Sequence, residues 1–349
     1  MGISTPIDKT SIDKVAMPVY LTIGTTNRCN LRCRMCFRQN IKIDPATLID
    51  MDSKLFEKIA GECFPYIKTI AFSVSGEPLL ANNISVMLKL AEKYEIKLEI
   101  TSNAALMNND ELIKKLVRTL SVLTVSFDGA TKETYESIRI GAKYDEVLSN
   151  ITRFNKYRNE LPTVSRPKLG FSFVLMRSNI EEFPDFIRLA HKLQADFIGS
   201  VHVVIHGPNF KNEESLIFHK DLANEKLKEA QEVAMNLGIN LSTPPLYTLA
   251  KEQYADPLYT LAKENVGDEA EKQVMIKCPY LWKRSWIEMN GDVKPCCIGI
   301  GDVPIMGNIR NSSFSEIWNG EIYNNMRKGI LTGQPFDVCK HCYIAEREI

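Results

Sequence analysis

Between residues 17 and 240, short apolar and β-branched runs alternate with longer stretches whose apolar positions recur at helical spacing. The runs at 18–24, 69–74, 97–101, 121–127, 169–175 and 197–205 predict strands. Amphipathic stretches at 53–62, 83–94, 111–118, 144–157, 181–193 and 222–237 predict helices. Pro18 opens the first strand, where a missing N–H is tolerated. Strand–helix alternation implies a parallel sheet with helices outside it. Six such units fall short of the eight that close a barrel. The expected α/β fold is therefore a partial, TIM-like (β/α)6 barrel followed by a small cysteine-rich domain.

Four segments follow from this pattern: an extension at 1–16, the barrel at 17–240, a linker or insert at 241–277, and the cysteine-rich domain at 278–349. Within the linker, Pro245-Leu246-Tyr247-Thr248-Leu249-Ala250-Lys251-Glu252 recurs at residues 257–264. Two copies are too few for a solenoid, and loops tolerate insertion, so this segment is assigned no chemistry.

Charge narrows the class of partner. Lys+Arg and Asp+Glu are both 43, a formal net charge of zero, which gives no electrostatic case for nucleic acid or an anionic membrane. No apolar run approaches the ~18 residues of a membrane span, and the N-terminus lacks a signal-like apolar stretch. A cytoplasmic protein is expected. Nine cysteines in a chain of 349 residues suit metal binding better than a disulfide framework. Cys63, beside Phe64, reads as a buried core thiol.

Cys29, Cys33 and Cys36 stand in a C-x3-C-x2-C loop directly after the first strand. Three thiolates on one short loop suit an iron–sulfur cluster; structural zinc wants four ligands, and no fourth Cys or His lies near. A four-iron cubane with three cysteines keeps one iron open. Arg28, Arg32, Arg34, Arg38 and Lys42 make the loop basic. That basicity is either a solvated face or a dock for an acidic electron donor such as flavodoxin or ferredoxin.

The tail carries Cys278, Cys296, Cys297, Cys339 and Cys342. Asn290-Gly291 marks a hairpin turn that delivers Cys296 from its second strand. Cys278, Cys296, Cys339 and Cys342 can fill a closed four-iron cluster, and the same ligands would also make a tetrahedral zinc site. Cys297 is spare: buried, a substitute ligand, or a hydrogen-atom donor.

The cysteine loop resembles that of the radical S-adenosylmethionine (radical SAM) family, with Met35 where an aromatic residue is common. The tail, with Gly291-x4-Cys296, Gly307-Asn308-Ile309, Glu316-Ile317-Trp318 and Cys339-x2-Cys342, resembles the family's SPASM domain or its shortened twitch form. No further cysteine follows Cys342 before Ile349, which points to twitch and one auxiliary [4Fe–4S] cluster. The resemblance implies a [4Fe–4S] cluster that binds SAM, cleavage of SAM to a 5′-deoxyadenosyl radical, and hydrogen abstraction from a substrate carbon. It also implies cofactor contacts: Met35 packing beside the cluster, Ser75-Gly76-Glu77-Pro78 at the SAM amine, and Ser102, Asn103, Ser126 and Asp128 at strand ends. Arg177 is expected at the SAM carboxylate. Turn and capping chemistry is the competing reading for the small polar groups, and a salt-bridged surface pair for Asp128 and Arg177.

His202 and His206, at the sixth strand's end, are candidate proton carriers, and Cys297 is a candidate hydrogen donor. The first functional expectation is an oxidoreductase that dehydrogenates a sugar- or cyclitol-type alcohol, the auxiliary cluster taking an electron. The N-terminal segment looks too short for a peptide-docking domain. The alternative is a peptide modifier forming an epimer, thioether or crosslink.

Overall fold

The computed structural model describes residues 14–39, 44–73, 75–205, 210–247, 275–296, 303–340 and 346–348. Its barrel half runs β1 (Tyr20–Ile23), α1 (Ser53–Cys63), β2 (Thr69–Phe72), α2 (Ile84–Lys93), β3 (Lys97–Ser102), α3 (Asp110–Thr119) and β4 (Leu120–Ser126). It continues with α4 (Lys132–Ile138), α5 (Tyr144–Asn159), β5 (Lys168–Leu175), α6 (Phe183–Lys192), β6 (Phe197–His202), α7 (Lys220–Leu237) and β7 (Asn240–Ser242). The tail holds β8 (Met275–Lys277), α8 (Tyr280–Lys283), β9 (Arg284–Ile287), β10 (Asp292–Lys294) and β11 (Gly307–Asn308). Helices α9 (Phe314–Trp318), α10 (Glu321–Thr332) and α11 (Asp337–Lys340) come next, and then β12 (Glu346–Glu348).

Helix α3 shows why the alternation folds as it does. The Asn109 side chain accepts the Leu112 N–H at 2.8 Å and caps the first turn. Asp110 and Glu111 complement the N-terminal end of the helix dipole and Arg118 the C-terminal end. Ile113, Leu116 and Val117 form the buried stripe. The same logic puts Cys63 in the core: it ends the buried face of α1, fully enclosed, and burial pushes its thiol up.

Ten strands make one sheet in the order β11-β10-β9-β1-β2-β3-β4-β5-β6-β7. Every neighbour from β9 to β7 is parallel, with β10 and β11 antiparallel at one edge. The six expected strands thus form a partial barrel, as the alternation predicts. Four strands extend the sheet beyond those six: β7 beside β6, and β9, β10 and β11 in turn beyond β1. Where β9 pairs with β1, Leu21 faces Ser285 and Ile23 faces Ile287, which fuses the tail to the barrel wall. The hairpin of β9 and β10 turns at Gly291, whose φ of +96° favours glycine. The sixth strand ends at His202, earlier than the run to 205 predicts.

A cluster of aromatics seats α4, an element absent from the sequence reading. Phe127 lies 4.3 Å from Tyr135 of α4 and stacks on Phe186 at 5.9 Å, and Phe171 and Phe173 pack around it. Such rings bury ~150–250 Å² each. At the other end, the Glu182 carboxylate accepts the Ala130 and Thr131 N–H groups and both Thr131 and Thr134 hydroxyls, holding the N-terminus of α4 with an anion. Helix α4 is therefore fixed at both ends, and residues 138–140 beyond it abut the cysteine loop.

In the tail, Arg327 of α10 is fully buried without a carboxylate partner among the described residues. Its guanidinium lies 4.4 Å from the Trp318 ring and 4.9 Å from Tyr323, and donates to the Leu281 and Trp318 carbonyls at 2.9 and 2.8 Å. Burial pulls it down to about 10. Arg327→Ala strands two buried carbonyls and opens a cavity; urea denaturation should show a loss of about 2–4 kcal/mol.

Candidate functional site

The loop after β1 makes little secondary structure of its own and borrows its hydrogen bonds. Asn27 N–H donates to Ile49 C=O at 3.2 Å and Met51 N–H to Thr25 C=O at 2.8 Å. Arg28 forks onto Asp50 through Nε at 2.9 Å and reaches the Leu80 carbonyl at 2.8 Å. Arg32 N–H donates to Ile140 C=O and Arg34 N–H to Ile138 C=O, both at 2.9 Å. The segment after α4 thus runs alongside the cysteines, with Arg139 opposite Cys33.

Gly76 closes the loop from the other side. A Cβ there would meet Thr26 O at 2.4 Å and Arg28 O at 2.5 Å, so only glycine lets these backbones approach. Glu77 N–H then donates to Arg28 C=O at 2.8 Å. The Glu77 carboxylate, nearly enclosed, accepts Ser102 Oγ–H at 2.7 Å, Asn103 N–H at 2.8 Å and Leu79 N–H at 3.2 Å. Burial nonetheless pushes Glu77 up, against the pull of these donors. Asn103 Nδ2 reaches back to Asn30 Oδ1 at 2.9 Å.

One cavity of about 360 Å³ collects these groups. Cys29, Cys33 and Cys36 line it, and so do Met35, Ser75, Gly76 and Glu77. Its far wall holds Ser102, Asn103, Ser126 and His202. Burial raises Cys29 and takes Cys33 up to about 11, so a positive group must replace the protons before these sulfurs can be thiolates. Among the described residues no three Cys, His, Asp or Glu side chains group as a single ion needs; the thiols ring a cavity instead. A three-thiol rim with polar strand ends behind it fits a cluster that carries a small polar ligand on its open side.

Three expected contacts lie elsewhere. Asp128 is fully buried off the cavity wall, its carboxylate bound to Arg139 at 2.6 Å and to the Val174 N–H at 2.7 Å. Arg177 pairs with Glu181 at 2.8 Å on the surface, so it is the salt-bridged surface group of the competing reading. Pro78 opens a short 3-10 turn behind Glu77. The basic face is also partly spent internally. Arg28 holds Asp50, Arg34 holds Glu214 at 2.8 Å, and Arg38 donates to the Asn27 and Ser75 carbonyls. Two of the five cations, Arg28 and Arg34, are thus paired with carboxylates, while Arg38 keeps its charge and Arg32 is exposed.

Arg139 is the group that sequence reasoning missed. It is buried, lines the cavity, and its NH1 approaches Cys33 Sγ at 3.8 Å. Nothing local marks it; only the pairing of residues 138–140 with 32–34 reveals its position.

His202 faces the cavity with both ring nitrogens buried and without a hydrogen-bond partner among the described residues. Its ring lies 4.7 Å from that of Tyr247. Burial pushes it from 6.5 down to about 4, so it is neutral at pH 7 and a weak base, poorly matched to the proton-carrier role. His206, Cys297 and Cys342 lie outside the described residues, as does most of the duplicated segment.

Of the tail cysteines, Cys278 precedes α8, Cys296 follows β10 and Cys339 lies on α11, all half-buried. Cys296 lines a second cavity of about 260 Å³ inside the sheet, with Tyr20, Glu99, Arg284 and Trp286. Ser73 and Thr101 line both this cavity and the first.

The comparisons agree with this geometry. The radical SAM superfamily model matches residues 23–190, and the iron–sulfur cluster-binding domain model, SPASM, matches 278–343. The chain belongs to the radical SAM superfamily and carries a C-terminal SPASM iron–sulfur domain. It is a radical SAM enzyme, and its cofactors are a [4Fe–4S] cluster that binds SAM and auxiliary iron–sulfur centres in the tail. It is 27% identical over 350 residues to a tungsten-containing aldehyde ferredoxin oxidoreductase cofactor-modifying protein of Pyrococcus furiosus, covering 94% of this chain and 88% of the relative. A PqqA peptide cyclase of Bradyrhizobium diazoefficiens is 22% identical over 348 residues, covering 97% and 82%. The structure of Streptococcus suis SuiB bound to precursor peptide SuiA shares the fold, with a TM-score of 0.66 at 15% identity over 94% of this chain and 77% of that one. No helix among the described residues is long and apolar enough to cross a membrane.

Two outcomes check the site. Gly76→Ala should push the cysteine loop off its seat; after anaerobic reconstitution, iron should fall from about eight to about four per chain, the loss of one cubane. His202 is buried neutral, whereas the unfolded chain protonates it below about 6.5. Native stability should therefore fall as pH drops from about 6.5 toward 4, and His202→Gln should flatten that decline in urea midpoints.

Proposed function

We propose that this enzyme removes a hydrogen atom from a residue of a peptide substrate held in the chamber between the two cysteine sets. Cys29, Cys33 and Cys36 hold the SAM-binding cluster, and Cys278, Cys296, Cys339 and Cys342 hold one auxiliary cluster. When bound and reduced, the SAM-binding centre supplies a 5′-deoxyadenosyl radical and the auxiliary centre a place for one electron. The chain's own residues orient and exclude water. Glu77, Ser102 and Asn103 form a prearranged polar wall at the strand ends, suited to the SAM amine and ribose. Neutral His202 offers one donor and one acceptor nitrogen to whichever ligand fills the cavity.

The observation that carries this reading is the sharing of Ser73 and Thr101 by the two cavities. A substrate seated there has the radical source on one side and Cys296 on the other. Its walls are amphipathic: Tyr20 O–H donates to Glu99 at 2.7 Å, Arg284 stacks 4.4 Å from the Tyr20 ring, and the buried Trp286 indole N–H has no partner among the described residues. A peptide carbonyl is a natural acceptor for that N–H. Two similar proteins of near-full coverage bear peptides in their descriptions, the PqqA peptide cyclase and peptide-bound SuiB. This puts the peptide reading ahead of alcohol dehydrogenation, for which the low basicity of His202 is a further obstacle.

The test is a turnover assay with reconstituted enzyme, SAM and dithionite in deuterated buffer, offering peptides encoded beside its gene and a panel of aminocyclitols. A peptide should stimulate 5′-deoxyadenosine formation and itself lose about two mass units on oxidative crosslinking, or gain about one on epimerisation. Stimulation by a cyclitol with appearance of its ketone, and none by peptide, would overturn the assignment.

A further inference from the structure

Three buried features around the chamber stand out: the Trp286 indole and the His202 ring, neither with a hydrogen-bond partner among the described residues, and an ion pair against Cys33. The first two face the cavities assigned to substrate and cofactor. The third has no role in the chemistry assigned to them. Arg139 and Asp128 are 8% and 0% exposed and joined at 2.6 Å. Burying such a pair is costly and rarely improves stability over apolar packing, so its presence calls for another account.

Its placement supplies one. Backbone bonds from Arg32 to Ile140 and from Arg34 to Ile138 set residues 138–140 in register with 32–34, so Arg139 lies across from the middle cysteine. NH1 points to Cys33 Sγ at 3.8 Å while NH2 is held by Asp128 Oδ2. Asp128 is itself immobilised: Oδ1 accepts the Val174 N–H at 2.7 Å, and Asn179 Nδ2 donates to the Asp128 carbonyl at 3.1 Å and to the Val174 carbonyl at 2.9 Å. The ion pair with this anchored carboxylate places the guanidinium against the sulfur.

We propose that Arg139, positioned by Asp128, raises the reduction potential of the SAM-binding cluster through a charge-assisted hydrogen bond to the Cys33 sulfur. This rests on the assignment of Cys29, Cys33 and Cys36 as its ligands. One-electron reduction adds negative charge to the cluster and its sulfurs. A donor and a fixed positive charge at one sulfur favour the reduced form, since hydrogen bonds to sulfur and net charge both set cluster potentials. Asp128 moderates the effect and, by orienting the guanidinium, makes it a property of the fold. Arg139 is a positioning and tuning residue; it transfers nothing.

The test is a potentiometric titration of the anaerobically reconstituted full-length protein, with dithionite supplying the electron. The electron paramagnetic resonance signal that changes on adding SAM identifies the relevant cluster, and potentials are read before SAM is added. Arg139→Gln should shift the midpoint to more negative potential, and Arg139→Lys should restore part of the shift. Asp128→Asn should move it the opposite way, because the cation is then uncompensated. If Arg139→Gln folds poorly, Asp128→Asn/Arg139→Gln removes both buried charges and should still lie below wild type. An unchanged midpoint in Arg139→Gln or the double variant overturns the proposal, as do shifts of the same sign in both single variants. Weaker SAM binding in Arg139→Gln at an unchanged midpoint would also overturn it, making Arg139 a SAM contact. A wild-type chain that shows no SAM-responsive signal would overturn the ligand assignment itself.

Discussion

Everything in this molecule depends on satisfying the backbone of an irregular loop whose own hydrogen bonds, such as Cys36 N–H to Cys33 C=O, are local and leave its other groups to outside partners. Three thiols must face one cavity; on a helix a C-x3-C-x2-C spacing would share a face but spread the cysteines over about 10 Å of its axis. The loop is therefore irregular, and its buried N–H and C=O groups need partners from elsewhere. Three segments supply them: residues 49–51, the Gly76–Glu77 turn, and residues 138–140. Each of these is fixed by a different part of the barrel. Loop geometry is thus a readout of the whole sheet, and the aromatic cluster under α4 contributes to it as directly as the glycine beside Thr26.

That dependence explains what was legible in the sequence. Strands β1 to β6 announce themselves by β-branched runs, and the cysteines by spacing, because both signals are local. Ser75-Gly76-Glu77 was readable by its position after β2, and Ser102, Asn103 and Ser126 by theirs at strand ends; all reach the cavity wall. Arg139 was not, because its place beside Cys33 arises from a register between segments about a hundred residues apart. Asp128 is a carboxylate at a strand end, yet it does not line the cavity. Its side chain turns inward to Arg139, where an unpaired guanidinium would be far more expensive than a vacant place at the cavity wall. Arg177 lies on the surface for the opposite reason. A local partner one helical turn away, Glu181, was available at little cost.

The basic character of the loop shows the same limit of composition. Five cations near three cysteines suggest an electrostatic face, but the fold uses Arg28, Arg34 and Arg38 as cross-braces to Asp50, Glu214 and backbone carbonyls. Arginine suits this task because its planar fork serves two acceptors at once. Arg28, Arg34 and Arg38 thus brace irregular backbone, while Arg32 stays exposed.

The attachment of the tail ties the fold to the chemistry. A partial barrel leaves one side of its sheet open at β1, and an exposed edge of this kind would present a row of unpaired backbone groups. Strand β9 covers it by pairing in parallel with β1. Because β9 leads through a tight Gly291 turn into β10, Cys296 is carried to the rim of the same chamber that Thr22 and Ser73 line from the barrel side. The strand that seals the sheet thereby sets the second cysteine group at a defined separation from the first. Any substrate between them is enclosed by β-sheet on the side of β1 and by the β9–β10 hairpin on the other. Stability and function are in this sense a single requirement. A tail that failed to pair with β1 would leave an open edge and would also remove Cys296 from the chamber.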